Sequence, residues 1–532
     1  GTNWGSVESR VQERQRNQKF GVDINTNIQL GQFFGKRARV SLPFFYGYSR
    51  GVINPEYDPF NPDVRLKDYD LTERKEKARL GQDFTERKSY NFTNVRKELK
   101  AGAKPTIFSI SNWSAGYSYS ELLQRDFNIT YDRTKTWSGN LNYAYSFNSK
   151  PIEPFKKVKF MSKSKYWRIV REMNLFLLPK NISFSNDATR MYNERQIRNN
   201  LVPDFEFAPV YAKQFFWNRR YGLGYDITKN LKATFDATNK ALFSEANGRV
   251  DRKEDPEGYQ QFKDSIRTQM RTFGKTTDYS HNYNLTYNIP FDKIPVLDMV
   301  SGNIKYGGSY NWQRAPLGQN QFGNVMQNNR TVNVTGQVNM TNLYNKIPYL
   351  KRVNGAGRGN TRGRIEQSGD SRGNTRATPP PKPSTIEKDT VGMSKREKRK
   401  YFRKIRRDER KARQEKNKNK EVNPIAGFGL RMVMSLRNVS ATYGQNDGTL
   451  LPGYRNTANV LGFDDGYNNT LGGFIFGRQS YSIFGKENGY DIANASAERG
   501  WLVKNQDLNK QHTIAHSTNF SGRASLEPFK DF

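Results

Sequence analysis

Residues 137–147, WSGNLNYAYSF, alternate strictly between two kinds of side chain. The even positions carry Ser, Asn and Ala, and the odd positions are Trp137, Gly139, Leu141, Tyr143, Tyr145 and Phe147. A period of two predicts a β-strand with one apolar and one polar face. Two environments suit such a strand: a sheet over a soluble core, or a barrel with lipid outside and water inside.

The composition favours the barrel. Only 35% of the 532 residues are hydrophobic, while aromatic residues reach 13%, with 29 Tyr and 34 Phe. A large barrel presents apolar side chains to lipid only at alternate positions and carries aromatic girdles at both interfaces. We therefore predict an all-β fold, a section of a very large antiparallel transmembrane β-barrel with long loops and a basic low-complexity insertion.

The same alternation recurs along the chain. It predicts thirteen strands, at 20–30, 38–48, 87–95, 108–120, 126–147, 180–193, 206–227, 231–243, 278–289, 302–313, 330–343, 428–443 and 512–526. Runs of about 9–11 residues suit a tilted strand that crosses a bilayer. Turns rich in Pro, aromatic residues and Lys follow alternate strands, at 153–160, 290–296, 344–350 and 526–532. We assign these turns to the periplasmic side, where barrel turns are short.

The predicted organisation has three parts. Residues 1–343 hold barrel strands with loops, residues 344–427 form an insertion, and residues 428–532 hold further strands and a large loop at 444–511. The odd strand count and a last turn at 526–532 lead us to expect more strands of this kind on both sides, and a signal peptide upstream. A short helix is expected within 148–179.

The insertion is strongly basic. Residues 351–420 contain 24 Lys/Arg and 8 Asp/Glu, which gives +16 of the total formal charge of +36. Its Gly, Arg and Pro content predicts disorder or a solvated helix. A solvated periplasmic tether is the favoured interpretation. The alternatives are nucleic-acid binding through phosphate neutralisation, and contact with a periplasmic partner or anionic lipid.

Few residues suggest chemistry. The chain has no Cys and three His, namely His281, His512 and His516, and no phosphate-binding or nucleophile motif is visible. Residues four apart in a strand lie about 13 Å from each other along its axis, which is too far for His512 and His516 to share a compact zinc site. We therefore predict no enzyme activity, no catalytic, cofactor-binding or metal-binding residues, and no cofactor. Residues 473–509 are interpreted as a large outer loop or as a loop folded into or over a pore.

Several stretches together carry a family resemblance. They are LPFFYGYSRGVINPEYDPFNPDV (42–64), ERKSYNFTNVRKE (86–98), PFDKIPVLDMV (290–300), SYNWQRAP (309–316), LRMVMSLRNVSATY (430–443), GFIFGRQ (473–479), RGWLVKNQDLN (499–509) and LEPF (526–529). The chain resembles the SprA/Sov family, the outer-membrane translocon of the type IX secretion system of Bacteroidota. Members of that family are several times longer than this chain.

The resemblance implies a wide, water-filled barrel in the cell outer membrane, in a system linked to gliding motility. Folded cargo with a C-terminal sorting signal would pass through the pore and leave sideways to a partner outer-membrane barrel, and a plug protein would close the pore. The aromatic residues expected to face the lipid bilayer are Trp137, Tyr143, Tyr145, Phe147, Tyr283 and Tyr287. The alternatives are a large porin or plug-gated transporter, and a soluble basic β protein that binds nucleic acid.

Overall fold

A computed structural model describes most of the chain. The described residues are 2–3, 15–158, 160, 165–202, 204–295, 297–355, 394, 401–408, 410, 429–430, 432–463 and 469–527. The predictions for most of the basic insertion and for the last turn, at 528–532, lie outside them.

The described residues form an all-β fold, as the sequence predicted. The strands are β1 (Thr2–Asn3), β2 (Gln15–Gln29), β3 (Val40–Ser41), β4 (Pro43–Pro55), β5 (Asp83–Lys97), β6 (Trp113–Arg125), β7 (Ile129–Ser146), β8 (Asn181–Ile197), β9 (Val210–Asp226), β10 (Leu231–Phe243), β11 (Lys275–Ile289), β12 (Val300–Gln313), β13 (Asn324–Asn339), β14 (Leu436–Tyr454) and β15 (Thr513–Leu526). The α-helices are α1 (Gly35–Ala38), α2 (Leu71–Leu80), α3 (Arg168–Arg171), α4 (Pro256–Arg271), α5 (Met340–Lys346), α6 (Pro348–Gly355), α7 (Asn469–Ile475) and α8 (Ile492–Glu498).

The strands belong to one sheet. Its order follows the chain from β1 to β15, except that β3 lies beside this path and pairs with β5. The registers from β2 to β12 are antiparallel, which suits neighbouring strands joined without crossovers. None of the described helices combines the length and apolar character needed to cross a bilayer.

The contacts divide the chain into two units. The first comprises Gly1–Pro290, Gly302–Thr335 and Thr442–Phe520, and the second comprises Phe291–Ser301, Gly336–Ala441 and Ser521–Phe532. In the second unit, Tyr344, Val353 and Met434 form a small buried cluster against which Met340, Leu350 and Leu430 pack.

Most predicted strands are present. The prediction for 231–243 has the same bounds as β10, and the weakest one, 87–95, lies within β5. The short helix expected in 148–179 is α3.

Several predicted boundaries of strands, turns and loops were wrong. The strand at 330–343 begins earlier and ends at Asn339, where the Asn339 side chain accepts a hydrogen bond from the Asn342 amide and caps α5. The turn at 344–350 is helical. The strand at 428–443 is displaced to β14, because Leu430 and Met434 lie one helical turn apart and pack into the small cluster of the second unit. Residues 444–454, expected in a loop, continue β14.

Candidate functional site: a sheet with two chemically distinct faces

The strand registers show which residues of the neighbouring strands lie on the same face of the sheet as each residue of β7. Directly opposite residues point to the same side of a sheet, so one row joins Trp113, Tyr143, Phe184, Tyr221, Ala237, His281 and Tyr310. We call this side the aromatic face. The row of the preceding residue of β7 joins Ser114, Asn142, Ser185, Arg220, Thr238, Ser280 and Asn311. We call that side the polar face. The predicted alternation is therefore coherent over seven strands.

A continuous aromatic row crosses β4 to β7 on the aromatic face. Tyr46, Tyr90, Tyr119 and Trp137 are successive partners. Their ring centroids lie 5.3, 5.9 and 5.6 Å apart in that order. The Arg190 guanidinium continues the row, with its Cζ 5.0 Å from the Trp137 ring. Aromatic rows of this kind mark the interfaces of membrane barrels.

The two sides of the aromatic row differ in chemistry. On one side lie interacting charges: the Lys88 Nζ is 3.0 Å from Glu86 Oε2, and the Arg133 Nε is 3.6 Å from Glu121 Oε1. On the other side lie exposed apolar side chains, including Ile28, Tyr117 and Leu141. The row therefore separates a charged zone of the aromatic face from an apolar one.

The length of the apolar zone can be compared with the apolar band of a membrane barrel. From Trp137 to Tyr145 the strand rises about 26 Å at about 3.3 Å per residue. A tilt of about 40° reduces this to about 20 Å, close to the apolar band of about 25 Å in outer-membrane barrels. Tyr221 and Leu223 continue the exposed apolar zone on β9.

The six predicted aromatic residues fall on two strands or beside them. Trp137, Tyr143 and Tyr145 lie on β7, and Phe147 follows its end. Tyr283 lies in the same row as Tyr145, through Phe235, Leu223 and Ile182.

The hydroxyls of these tyrosines have different partners. Tyr143 donates to the Ile107 carbonyl at 2.7 Å, and Tyr283 donates to the Phe476 carbonyl at 2.6 Å. Tyr287 is exposed. Part of the zone predicted to meet lipid, at Tyr283, is therefore covered by protein.

That cover is a long segment, residues 455–463 and 469–508, which we call the covering segment. It packs on the aromatic face of β10 to β14. Their buried cluster comprises Ala237, Tyr279, Tyr310, Trp312, Met326, Leu451, Tyr454, Ala458, Leu471, Phe474, Ile475 and Ile492. Residues 473–509, interpreted as a large outer loop or as a loop folded into or over a pore, lie almost entirely within this segment on the aromatic face. Their relation to a pore stays a prediction.

Polar residues on the covered part of the aromatic face are hydrogen-bonded. Asp447 is almost completely buried and pairs with Arg330, at 2.6 Å between Asp447 Oδ2 and Arg330 Nη2. Gln445 and His516 also bond the Asp447 carboxylate, at 2.9 and 2.6 Å. Arg330 further donates to the Tyr481 carbonyl at 2.7 Å. This network links the covering segment to the strands, as buried charges require partners.

The histidines lie in structural contacts. His281 is buried, with its Nε2 3.1 Å from the Ile475 carbonyl oxygen and its Nδ1 3.2 Å from the Tyr279 hydroxyl. His516 stacks on Tyr481, with ring centroids 4.2 Å apart. His512 immediately precedes β15. In the described part of the chain, no three His, Asp or Glu side chains are grouped so as to hold a metal ion.

The sequence analysis did not identify Asp58, a buried carboxylate that follows β4 and accepts several hydrogen bonds. The Asp58 carboxylate accepts hydrogen bonds from the Tyr69 hydroxyl and Lys77 Nζ, both at 2.7 Å, and from the Phe60 amide at 2.9 Å. Burial alone would raise the pKa of Asp58, but these hydrogen bonds outweigh it and hold the pKa below its usual range. The only signal in the sequence was the short motif around Asp58, EYDPFNP, which contains no regular period.

One comparison with known proteins matches the first part of the chain. Residues 1–69 match the family model SprA_N, described as a motility related/secretion protein. The match supports assignment to the SprA/Sov family over this N-terminal part, which contains β2, β4 and Asp58. A search of curated proteins found no match.

Proposed function

We propose that this chain is part of an outer-membrane channel through which folded cargo proteins leave the periplasm, as in type IX secretion. The two-faced sheet carries the proposal. Its exposed apolar zone is bounded by an aromatic row and would span about 20 Å at the strand tilt of outer-membrane barrels, while the other side of the same strands is polar. The family match to a secretion protein over residues 1–69 supports the same conclusion.

In this proposal the polar face lines the lumen. Its rows are built from Ser, Asn, Thr and Gly, with charges paired in the plane of the sheet, such as Arg220 Nη1 and Asp187 Oδ2 at 3.4 Å. Wide barrels hold water, and a hydrated neutral wall gives passing proteins few apolar surfaces to bind. The cargo, the partner barrel and the plug protein implied by the family resemblance are parts of the proposal.

Single-cysteine labelling tests the membrane topology. Because the chain has no Cys, one Cys can be introduced at Asn142 on the polar face or at Leu141 on the aromatic face. An environment-sensitive fluorophore at 141 should be quenched by brominated lipid in nanodiscs, while one at 142 should be quenched by aqueous iodide. Reversed quenching, or a chain that stays in solution without detergent, would refute the membrane assignment.

Cargo crosslinking tests the transport step. A photoreactive group on the polar-face cysteine should capture a folded cargo that has a C-terminal sorting signal, and should capture far less of the same cargo without the signal. A porin would give conductance to small solutes with no such crosslink. A soluble nucleic-acid binder would instead show salt-sensitive binding without bilayer insertion.

A further inference from the structure

Arg219 lies in a small cavity on the aromatic face, at the edge of the covering segment. The cavity has a volume of about 330 Å³. Its lining includes Arg219, Tyr221, Asn239, Phe273 and Gly274, together with Leu461 of the covering segment. Arg219 is the only charged residue in this lining, so its guanidinium sets the charge of the cavity.

This guanidinium is buried without a carboxylate. Arg219 is 7% exposed, and no Asp or Glu among the described residues forms a salt bridge with it. One nitrogen, Nη2, donates to Asn239 Oδ1 at 2.7 Å and to the Phe273 carbonyl at 3.3 Å. The buried Nε has no hydrogen-bond partner in the described part of the chain. An unpaired buried charge is costly, so an anion in the cavity would stabilise this arrangement.

The walls orient the guanidinium. Its Cζ lies 5.1 Å from the Trp217 ring and 5.0 Å from the Phe273 ring. Phe273 and Gly274 follow the end of α4 with positive φ values of 61° and 71°, a conformation that an L side chain such as that of Phe273 rarely adopts. Two aromatic rings therefore restrict the planar group, and a planar fork of N–H donors suits a phosphate-type oxyanion.

We propose that this cavity is a binding site for a phosphate-type oxyanion, held by Arg219. Two sources share that chemistry: the headgroup of a lipid and free phosphate. Tyr221 lines the cavity and is 41% exposed, so a ligand can enter from the aromatic face. A lipid as the source rests on the proposed contact of that face with lipid, whereas binding of the anion does not.

Calorimetry on the full chain in a non-ionic detergent tests the site with three probes: dodecyl phosphate, inorganic phosphate and dodecanol. Dodecyl phosphate should bind at least tenfold more tightly than dodecanol. If inorganic phosphate binds at least tenfold more weakly than dodecyl phosphate, the source is a lipid headgroup; if the two bind equally, it is free phosphate. Absence of binding by both phosphates would overturn the proposal. No bilayer is required, so failure here is distinct from failure of the topology experiment.

Matched variants locate the site. Arg219→Met should weaken binding of the phosphate probe at least tenfold, while Arg220→Met, the next residue but on the polar face, should change it less than twofold. Equal effects of the two variants would contradict the proposal. Arg219→Lys keeps a charge and should lose less affinity than Arg219→Met. If Arg219→Met does not fold, as judged by circular dichroism, the Lys variant and the wild-type preference for dodecyl phosphate over dodecanol decide the question.

Discussion

The aromatic face has two regions that differ in what covers them. Across β4 to β8 most of its apolar side chains are partly or largely exposed, as for Tyr117 at 47% and Leu141 at 41%. Across β10 to β14 the covering segment buries much of the same face, and Trp312 and Met326 have no exposed surface. One alternating pattern therefore serves two environments. Buried, hydrogen-bonded polar side chains such as Asp447 distinguish the covered region, where the covering segment and the strands supply their partners.

The largest effect is expected when the buried ion pair of the covered region is broken. Asp447→Ala leaves Arg330 buried without its carboxylate and also removes an acceptor from Gln445 and His516. We expect a loss of about 3–5 kcal/mol in the free energy of unfolding, measured by urea titration in detergent. Asp187→Ala, which breaks an exposed pair with Arg220, should cost about 0–1 kcal/mol. Equal costs would show that the covering segment does not desolvate Asp447.

Truncation of a covered aromatic residue should have a similar but smaller effect. Phe474 of α7 is completely buried, and Phe474→Ala should cost about 3–4 kcal/mol through lost burial and a cavity. Limited proteolysis should then cleave the covering segment faster. Tyr117→Ala in the exposed region should cost about 1 kcal/mol or less in detergent, because only cross-strand contacts are lost. A cost for Tyr117 as large as that for Phe474 would remove the distinction between the two regions.

At the boundary between the two regions, the Tyr283 hydroxyl donates a hydrogen bond to the covering segment. Tyr283→Phe removes the donor to the Phe476 carbonyl and should cost about 1 kcal/mol. Tyr287→Phe, four residues along the same face at an exposed position, is the matched control and should change stability little. Hydrogen exchange at the amides near 476 should rise in the first variant only. An unchanged exchange rate would place the boundary elsewhere.

The smallest expected effect is a dependence of local stability on pH around Asp58, which lies outside both regions of the aromatic face. The folded-state pKa of Asp58 is below its usual value, so its contribution to stability is present above about pH 4 and is lost as the pH falls through the lowered pKa. Proteolysis between 56 and 82 by an acid protease should increase in that range.

The partner lysine provides the control for this acid transition. Lys77→Met should move the transition to higher pH, because the bond that lowers the pKa of Asp58 is lost. Lys75→Met on the same helix replaces an exposed lysine and should not move it. A transition that stays in place in Lys77→Met would exclude Asp58 as its cause.

The sheet could be predicted because its signal is local. Alternation in 231–243 or 137–147 shows directly in neighbouring residues, and the resulting faces agree with the registers. The covering segment could not be predicted in this way. Its apolar side chains, such as Phe474 and Ile492, are placed by contacts with strands more than a hundred residues away, so they follow no period of their own.

Two other features, helix α4 and the buried Arg219, were not predicted for similar reasons. Helix α4 lies in a stretch of mixed charge that was interpreted as a loop, although Asp255 caps it by accepting from the Gly258 amide and Pro256 begins it. Arg219 interrupts an apolar face, and sequence alone gives no reason for a charge there. Only the structure shows that Trp217 and Phe273 enclose it.

The covering segment also sets an order of events during biogenesis. His281 and its partner Ile475 are separated by 194 positions in the chain, so the ribosome completes β10 to β13 long before their cover exists. Contacts between such distant positions form slowly because a long loop must close first. Until then Tyr310 and Trp312 lack the cover that buries them in the folded chain.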